Sequence, residues 1–164
     1  MNPELERKLY LKYPKIFVRK DLPMGQTCMC WGIDCEDGWY HIIDALCAQI
    51  QHHIDWKNCE GKHEGSRKYR PPEADGTWVQ VQQLQAEQVK EKYGGLRFYA
   101  IGGDDYTEGL IDMASALSLR VCETCGAPAR QTKSGWIRTL CPTHAAERQV
   151  DLADEAEDED GNEP

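Results

Sequence analysis

The sequence has no long apolar run: no stretch of its 164 residues approaches the ~20 consecutive apolar residues that a membrane-spanning helix needs. Its first residues, MNPELERKLYLKYPKIF, also lack the continuous apolar core of a secretory signal. These absences predict a cytoplasmic protein with no membrane partner. Because thiols stay reduced in the cytoplasm, cysteine spacing in such a protein points to metal binding or catalysis before disulfides.

Basic residues are missing from the C-terminal end. Residues 151–164, DLADEAEDEDGNEP, contain eight acids and no base. Removing those eight from the 28 acids of the chain leaves 20 against 19 lysines and arginines, so the remainder is nearly neutral. A run of like charges repels itself, which predicts an acidic disordered tail. A nearly neutral body lacks the basic excess of a dedicated nucleic-acid binder.

Familiar catalytic motifs are absent as well. The sequence contains no serine nucleophile elbow, phosphate-binding glycine loop or metalloprotease helix. His41 and Asp44 lie three residues apart on the polar side of a predicted helix and form the one acid–base pair that a small enzyme would use. The same spacing is common by chance. The sequence therefore favours a non-enzymatic protein, with an enzyme built on His41 and Asp44 as an alternative.

Apolar periodicity predicts a small α+β domain that contains amphipathic helices. Asn2 can cap a first helix that begins at Pro3 and that Pro14 ends. A second helix is predicted from Gly38 to Ile54, with Asp37 as its N-cap, because its apolar residues fall within one arc of the helix.

Strands and a third helix are predicted after the polar loop of residues 55–76. Alternation predicts a strand over Trp78–Leu84 and then a β-hairpin that turns at Gly94-Gly95 and continues as Leu96–Ile101. Residues 106–119 carry apolar side chains at helical spacing behind an acidic N-terminus. These strands predict a short antiparallel sheet.

A metal site is the strongest signal in the sequence. Cys122 and Cys125, then Cys141 and His144, follow the pattern Cys-x2-Cys-x15-Cys-x2-His. Two cysteines separated by two residues can direct both thiolates at one centre, and zinc takes four such ligands in a tetrahedron. Since four protein ligands leave no position for water, one structural Zn²⁺ is predicted.

The alternatives for the same cysteines fit less well. A redox Cys-x-x-Cys pair needs a helix that starts at the motif, whereas Gly126 and Pro128 interrupt one here. The segment between the two ligand pairs fits a hairpin, and Pro142 suits the first turn of a helix. A knuckle, a hairpin and a helix in this order predict a C-terminal treble-clef zinc module.

Five further residues offer ligands for a second metal site. Cys28, Cys30 and Cys35 could begin one, and Cys59 with His63 could complete it. The spacing is loose, and separate reduced thiols are the alternative.

Basic and aromatic residues mark both predicted hairpins and suggest a binding surface. The residues are Lys90, Lys92 and Arg97 on the first hairpin and Arg130, Lys133, Trp136 and Arg138 on the second. An arginine beside an exposed aromatic side chain can hold a nucleic-acid backbone or an acidic protein patch. The alternative is an ordinary solvated hairpin face.

Three stretches, residues 29–47 (MCWGIDCEDGWYHIIDALC), 87–100 (EQVKEKYGGLRFYA) and 122–144 (CETCGAPARQTKSGWIRTLCPTH), carry a family resemblance. Together they resemble a group of small zinc-finger-containing proteins encoded by phages and prophages, a group with no assigned activity. The resemblance covers most of residues 13–145. It implies a phage-encoded accessory or host-modulating protein that works in the bacterial cytoplasm. It also implies that the zinc ligands are Cys122, Cys125, Cys141 and His144.

These observations combine into one expectation. The chain should comprise an α+β body (residues 1–120), a zinc module packed on it (121–150) and an acidic tail (151–164). It should bind zinc and act as a non-enzymatic interaction protein whose partner is a host or phage protein. Nucleic-acid binding is the alternative.

Overall fold

Helices and short strands are mixed along the chain, as the computed structural model shows for residues 1–58, 80–133 and 135–154. The elements in chain order are α1 (Pro3–Lys12), β1 (Ile33–Asp34), α2 (Tyr40–Lys57), β2 (Gln82–Lys92), β3 (Gly95–Gly103), α3 (Asp105–Ser118), β4 (Arg130–Gln131), β5 (Thr139–Leu140) and α4 (Pro142–Glu147). The predicted α+β class is confirmed. None of the helices in these ranges combines the length and the apolarity that crossing a membrane requires.

The first helix begins as its sequence predicts. The Asn2 side chain accepts a hydrogen bond from the backbone N–H of Glu4 at 2.8 Å, and Pro3 occupies the first turn, where a missing N–H costs nothing. The helix ends at Lys12, just before Pro14. Leu9 is the side chain that α1 buries fully.

The second helix begins later and ends later than predicted. Asp37 is not its N-cap; Asp37 begins a 3₁₀ turn that runs to Trp39, and its carboxylate accepts a hydrogen bond from the backbone N–H of Asn2 at 2.6 Å. The helix proper starts at Tyr40 and extends to Lys57. Its buried face is the predicted apolar arc: Ile43, Leu46, Cys47, Ile50 and Ile54.

The main sheet has the order β1-β2-β3 and is not wholly antiparallel. The two-residue β1 runs parallel to β2, with Ile33 opposite Val89, and β2 is antiparallel to β3. One continuous strand, β2, replaces the two predicted segments, because cross-strand pairing and burial of alternate side chains outweigh the weak strand propensity of its glutamines. Residues 78–79 of the predicted first strand lie outside the described residues.

The turn of the hairpin is one residue earlier than predicted. Tyr93 and Gly94 are its central residues, with φ of 54° and 75°, and Gly95 already pairs with Lys92 across the strands. Two successive positive φ values define the tight hairpin turn whose twist matches that of the strands. We call residues 92–95 the GG turn.

Helices α2 and α3 lie side by side and cover the sheet. His53 near the end of α2 bonds Asp104 at the start of α3, whereas Ile42 and Leu117 line a shared groove at the other end. The two helices are therefore antiparallel. The core between them, α1 and the sheet contains Trp39, Phe17, Leu9, Ile16 and Leu84, all at most 1% exposed.

The region after α3 is a knuckle, a two-stranded hairpin and a short helix. Its strands, β4 and β5, have two residues each and are shorter than the strands over residues 129–132 and 136–140 that the sequence predicts. The first residues of the predicted tail lie beside β4, where Leu152 bridges to Thr132 and the N–H of Ala153 donates to the carbonyl of Gln131 at 2.7 Å. Residues 155–164 of that tail lie outside the described residues. The boundaries at residues 120 and 150 stay predictions.

Candidate metal centre

The four predicted ligands converge on one point. The ligand atoms of Cys122, Cys125, Cys141 and His144 all lie within 4.8 Å of one another. The Nδ1 atom of His144 is 3.1 Å from Sγ of Cys141 and 3.5 Å from Sγ of Cys122, and the Sγ atoms of Cys125 and Cys141 are 3.9 Å apart. Ligand atoms in a tetrahedral zinc site with such donors are about 3.5–3.8 Å apart. The group can hold one metal ion of the size and preference of zinc.

The first ligand pair lies on a tight knuckle that the backbone closes. The N–H of Gly126 donates to the carbonyl of Cys122 at 2.8 Å, and the N–H of Cys122 donates to the carbonyl of Ala127 at 2.7 Å. Gly126 has a φ of 80°, in the left-handed region that favours glycine. This glycine lets the chain reverse immediately after Cys125, so both thiols face the same side.

Backbone amides favour the thiolate form at two of the ligands. Burial would raise the pKa of Cys122, but the N–H groups of Cys141, Cys125 and Thr124 outweigh it and lower the pKa to about 6. The N–H of His144, at the start of α4, lowers the pKa of Cys141. Because zinc binds the thiolate and not the thiol, these amides prepare the site for a cation.

The imidazole of His144 has one nitrogen for the metal and one for a carboxylate. Nδ1 faces the thiols, and Nε2 is 3.8 Å from Oε2 of Glu147, one helical turn later. A carboxylate near the second ring nitrogen is the usual means by which proteins orient metal-binding histidines.

The segment of residues 36–39, just before α2, holds the knuckle against the body. The N–H of Gly38 donates to the carbonyl of Glu123 at 2.7 Å, and the indole N–H of Trp39 donates to the carbonyl of Val121 at 2.8 Å. A Cβ on Gly38 would lie 2.1 Å from the carbonyl oxygen of Cys122. Only glycine permits this approach of the two backbones.

Ion pairs reinforce this contact between the knuckle and residues 36–39, which we call the joint. Arg138 donates to Glu123 at 2.9 Å and to Glu36 at 2.5 Å, and Arg148 donates to Glu36 at 3.0 Å. Glu123 is only 2% exposed, and burial raises its pKa although Arg138 opposes the shift. Burial would also raise the pKa of Glu36, but hydrogen bonds from Thr124, Arg148 and Arg138 lower it to about 2.

The zinc hairpin, residues 129–140, packs on the GG turn. The side-chain amide of Gln131 donates to the carbonyl of Tyr93 at 3.0 Å, and the hydroxyl of Thr139 donates to the carbonyl of Gly94 at 2.5 Å. A Cβ on Gly94 would lie 2.9 Å from the Gln131 amide nitrogen. The two hairpins on which the basic residues were predicted are therefore in direct contact.

Three of the predicted surface residues share one groove. Lys90, Lys92 and Trp136 line a groove of about 550 Å³ between the GG turn and the zinc hairpin, together with Glu91, Tyr93, Gly135 and Ile137. Trp136 is 77% exposed and Tyr93 is 70% exposed. We call this the Trp136 groove.

The other four predicted surface residues lie elsewhere or are engaged by the protein itself. Arg138 is held by the two glutamates of the joint, and Lys133 pairs with Asp154 at 2.9 Å. The guanidinium of Arg130 is 3.5 Å from the carbonyl of Ala153. Arg97 lies opposite Lys90 on the sheet and donates to the carbonyl of Leu96 at 3.0 Å.

The candidates for a second metal site do not form one within the described residues. There, the C-terminal cluster is the only group of three or more histidine, cysteine, aspartate or glutamate residues with ligand atoms close enough for one ion. Cys35 is buried, and burial raises the pKa of its thiol to about 12. Cys28 and Cys30 are half-buried free thiols, whereas Cys59 and His63 lie outside the described residues.

Asp44 is committed to an ion pair rather than to His41. Its carboxylate accepts hydrogen bonds from Lys12 at 2.8 Å and from the Tyr13 hydroxyl at 2.8 Å. His41 lines an apolar groove beside Leu117. The structure thus gives the predicted acid–base pair no shared cleft in the part of the chain that it describes.

Sequence reasoning missed the residues of the joint, Glu36, Gly38 and Arg148. Most of their contacts to the knuckle and to Arg138 join residues that are 85 or more positions apart in the chain. Glu36 and Arg138, for example, are 102 positions apart, so no local sequence pattern marks these residues. A glutamate between the two knuckle cysteines was the available signal, because a buried acid needs a partner. Comparison of the chain with protein-family models, curated proteins and solved structures gave no match.

Proposed function

We propose that this chain is a zinc-binding, non-enzymatic interaction protein in which one structural Zn²⁺ organises a treble-clef module. The proposal is supported by the four converging ligands, three thiols and one imidazole, and by the order of knuckle, hairpin and helix that carries them. Four protein ligands fill a tetrahedral zinc site, so the metal acts on structure and not on a substrate.

The observation that carries the functional part is the exposure of Trp136. A tryptophan that is 77% exposed loses the benefit of burial unless a partner covers it. Its hairpin is fixed at one end by the metal ligands and at its side by the GG turn. Zinc therefore holds Trp136 in one position beside Tyr93, as an anchor residue for a partner.

Charge around Trp136 favours a protein partner. On one side lie Lys90 and Lys92 of the Trp136 groove. On the other side lies a second groove of about 550 Å³, lined by Asp34 and Glu91 and by Glu36 and Glu123, which both pair with Arg138 in the same lining. Asp34 and Glu91 would repel a polyanion there, whereas a protein can present an apolar pocket with both signs of charge at its rim.

Nucleic-acid binding is the second candidate, on one specific observation. The Nζ atoms of Lys90 and Lys92 lie 5.8 and 5.3 Å from the ring centres of Tyr99 and Tyr93, which are partly or largely exposed. Paired cations and aromatic rings can bind a phosphate and stack a base.

The test is capture of partners from a bacterial lysate on the immobilised zinc-loaded protein, since we propose a bacterial host or phage protein as the partner. Trp136→Ala should remove the captured protein, whereas Trp31→Ala, which removes an indole that is 66% exposed elsewhere, should retain it. Equal capture by both variants would contradict the proposal.

Gel-shift titration with single-stranded oligonucleotides separates the two candidates. Nucleic-acid binding would weaken steeply as salt increases and would be lost in Lys92→Ala. A protein partner anchored by Trp136 should stay bound in salt that abolishes any oligonucleotide shift.

A further inference from the structure

The outward side of α3 carries an uncharged apolar stripe. Tyr106, Leu110, Met113 and Leu117 follow one another at intervals of four, three and four residues, which places them on one side of the helix. Tyr106, Met113 and Leu117 are 53%, 55% and 48% exposed. The stripe lies beside α2 and not in the core, which α3 contacts through Thr107, Ala114 and Ser118.

The adjoining side of α2 is uncharged too. His41 and Ala45 are exposed there, and a groove of about 300 Å³ runs between the helices, lined also by Ile42, Leu46, Gln49, Leu110 and Ala114. Although 29% of the chain is charged, no lysine, arginine, aspartate or glutamate among the described residues lines this groove. Depletion of charge at the centre of an exposed apolar surface is typical of a protein interface.

Gly109 gives an independent indication. It lies in the second turn of α3, where glycine is about 1 kcal/mol less favourable than alanine. A Cβ at this position would meet nothing within 4 Å, and its φ lies outside the left-handed region. Within residues 1–58, 80–133 and 135–154 nothing accounts for a glycine here, whereas close approach of another helix to this surface would.

We propose that this helix layer binds the same layer of a second copy, with α3 of one copy over α2 of the other. Because α2 and α3 are antiparallel, a twofold axis parallel to them gives every helix antiparallel neighbours, the arrangement of a four-helix bundle. Tyr106, Met113 and Leu117 would then fill the groove of the other copy. Gly109 and Ala116, exposed on the same side of α3, let the helices approach.

Charge complementarity selects this arrangement over α3 against α3. At 100° per residue, Asp105 and Asp112 lie on the flank of α3 that faces away from α2. The opposite flank of α2 carries the Lys12–Asp44 and Lys15–Asp55 ion pairs, whose lysine side chains remain 55% and 60% exposed. With α3 over α2, the acids of one copy face a flank on which Asp44 and Asp55 balance the two exposed lysines, so no like-charged flanks meet. With α3 over α3, two acidic flanks would meet.

Sedimentation velocity of the full zinc-loaded chain, from about 1 to 100 µM, tests the proposal. We expect a reversible dimer with a dissociation constant in the micromolar range, as for a small interface. Met113→Glu should weaken the dimer on the order of 100-fold, because two carboxylates would be buried without partners. Met24→Glu, at a residue 70% exposed elsewhere, is the matched control and should leave the dimer unchanged.

Two further variants keep the test informative if Met113→Glu perturbs folding. Gly109→Leu should favour the helix of the monomer and yet weaken the dimer about tenfold, because a side chain would separate the helices. Asp105→Lys should weaken association, and adding Lys15→Glu should restore it, because these residues face each other only between copies. Trp136→Ala should dimerise normally, which separates this surface from the proposed function.

A chain that stays monomeric at 100 µM would overturn the proposal, as would a dimer that Met113→Glu leaves intact. Unchanged or tighter association of Gly109→Leu would contradict close helix contact. Failure of Lys15→Glu to restore Asp105→Lys would contradict the arrangement of α3 over α2.

Discussion

The body and the C-terminal region of this protein are stabilised in different ways. Among the described residues, one cluster of buried apolar side chains runs through the body and includes Trp39, Phe17 and Leu9. The corresponding buried cluster in the described part of the C-terminal region consists of Cys122, Leu140, Cys141 and Ala145, and two of these belong to the candidate metal centre. A region with so little apolar burial needs another source of stability, as small domains generally do.

The joint between the two regions is polar, and the two regions depend on it to different degrees. Gly38 and Trp39 bind backbone atoms of the knuckle, and Trp39 at the same time is fully buried in the core of the body. The core of the body therefore holds residues 38–39 in place whether or not the knuckle is folded. We expect the knuckle, by contrast, to need a bound metal ion to keep the complementary shape.

Loss of a ligand should have the largest effect and should separate the two regions. Cys122→Ser or Cys141→Ser should unfold the region after residue 120 and leave α1, α2, β2 and β3 folded, because zinc binding contributes on the order of 10 kcal/mol in such sites. Hydrogen exchange followed by mass spectrometry would show the loss of protection. Cys28→Ser, at a thiol outside the cluster, is the control; uniform loss of protection across the body would contradict the separation.

Gly38→Ala should break the joint from the body side. Its Cβ would meet three backbone atoms, at 2.1 Å from Cys122 O, 2.5 Å from Gly126 N and 2.6 Å from Glu123 O, and none of them can move without distorting the knuckle. We expect a loss of about 3 kcal/mol in the free energy of unfolding and weaker zinc binding. Gly25→Ala meets nothing within 4 Å and should be neutral in the same denaturation experiment.

Arg138→Met should leave the buried Glu123 without its cation and cost about 2 kcal/mol, because the carboxylate would lose a hydrogen-bond donor. Adding Glu123→Gln removes the uncompensated charge and should recover part of that loss. A double-mutant cycle measures this coupling. Additive effects would mean that the ion pair does not stabilise the joint.

Lowering the pH should destabilise the C-terminal region more than the body. Protonation of thiolates and of imidazole releases the metal first. In the body, burial would raise the pKa of Asp44, but hydrogen bonds from Lys12 and Tyr13 lower it below its usual 3.8. This pair therefore stabilises the fold above pH 3.8 and is lost as pH falls through the lowered value. Asp44→Asn should cost about 0.5 kcal/mol at neutral pH and nothing in strong acid, as thermal unfolding would show; an equal cost in acid would contradict the ion pair.

Local patterns in the sequence predict the elements whose causes are local. Asn2 and Pro3 predict α1, the apolar arc predicts the buried face of α2, and the Cys-x2-Cys spacing predicts a knuckle. The start of α2 was mispredicted because Asp37 bonds the backbone of Asn2, 35 positions away, instead of capping the helix.

Long-range partners explain what the sequence could not show at the site. Arg138 carries the charge that suggested a binding residue, but its partners Glu36 and Glu123 hold it inside the joint. Among the described residues, no acid pairs with Trp136 or Lys92, and both line the Trp136 groove. The sequence shows which side chains are charged or aromatic, whereas the fold decides which residues those side chains contact.

Native mass spectrometry of the purified protein, with titration of a chelator, tests the central claim most directly. We predict one Zn²⁺ per chain in the wild type and in Cys28→Ser, and none retained in Cys141→Ser. Chelation should remove protection from hydrogen exchange after residue 120 while the body keeps it. A metal-free chain with a fully protected C-terminal region would contradict the account.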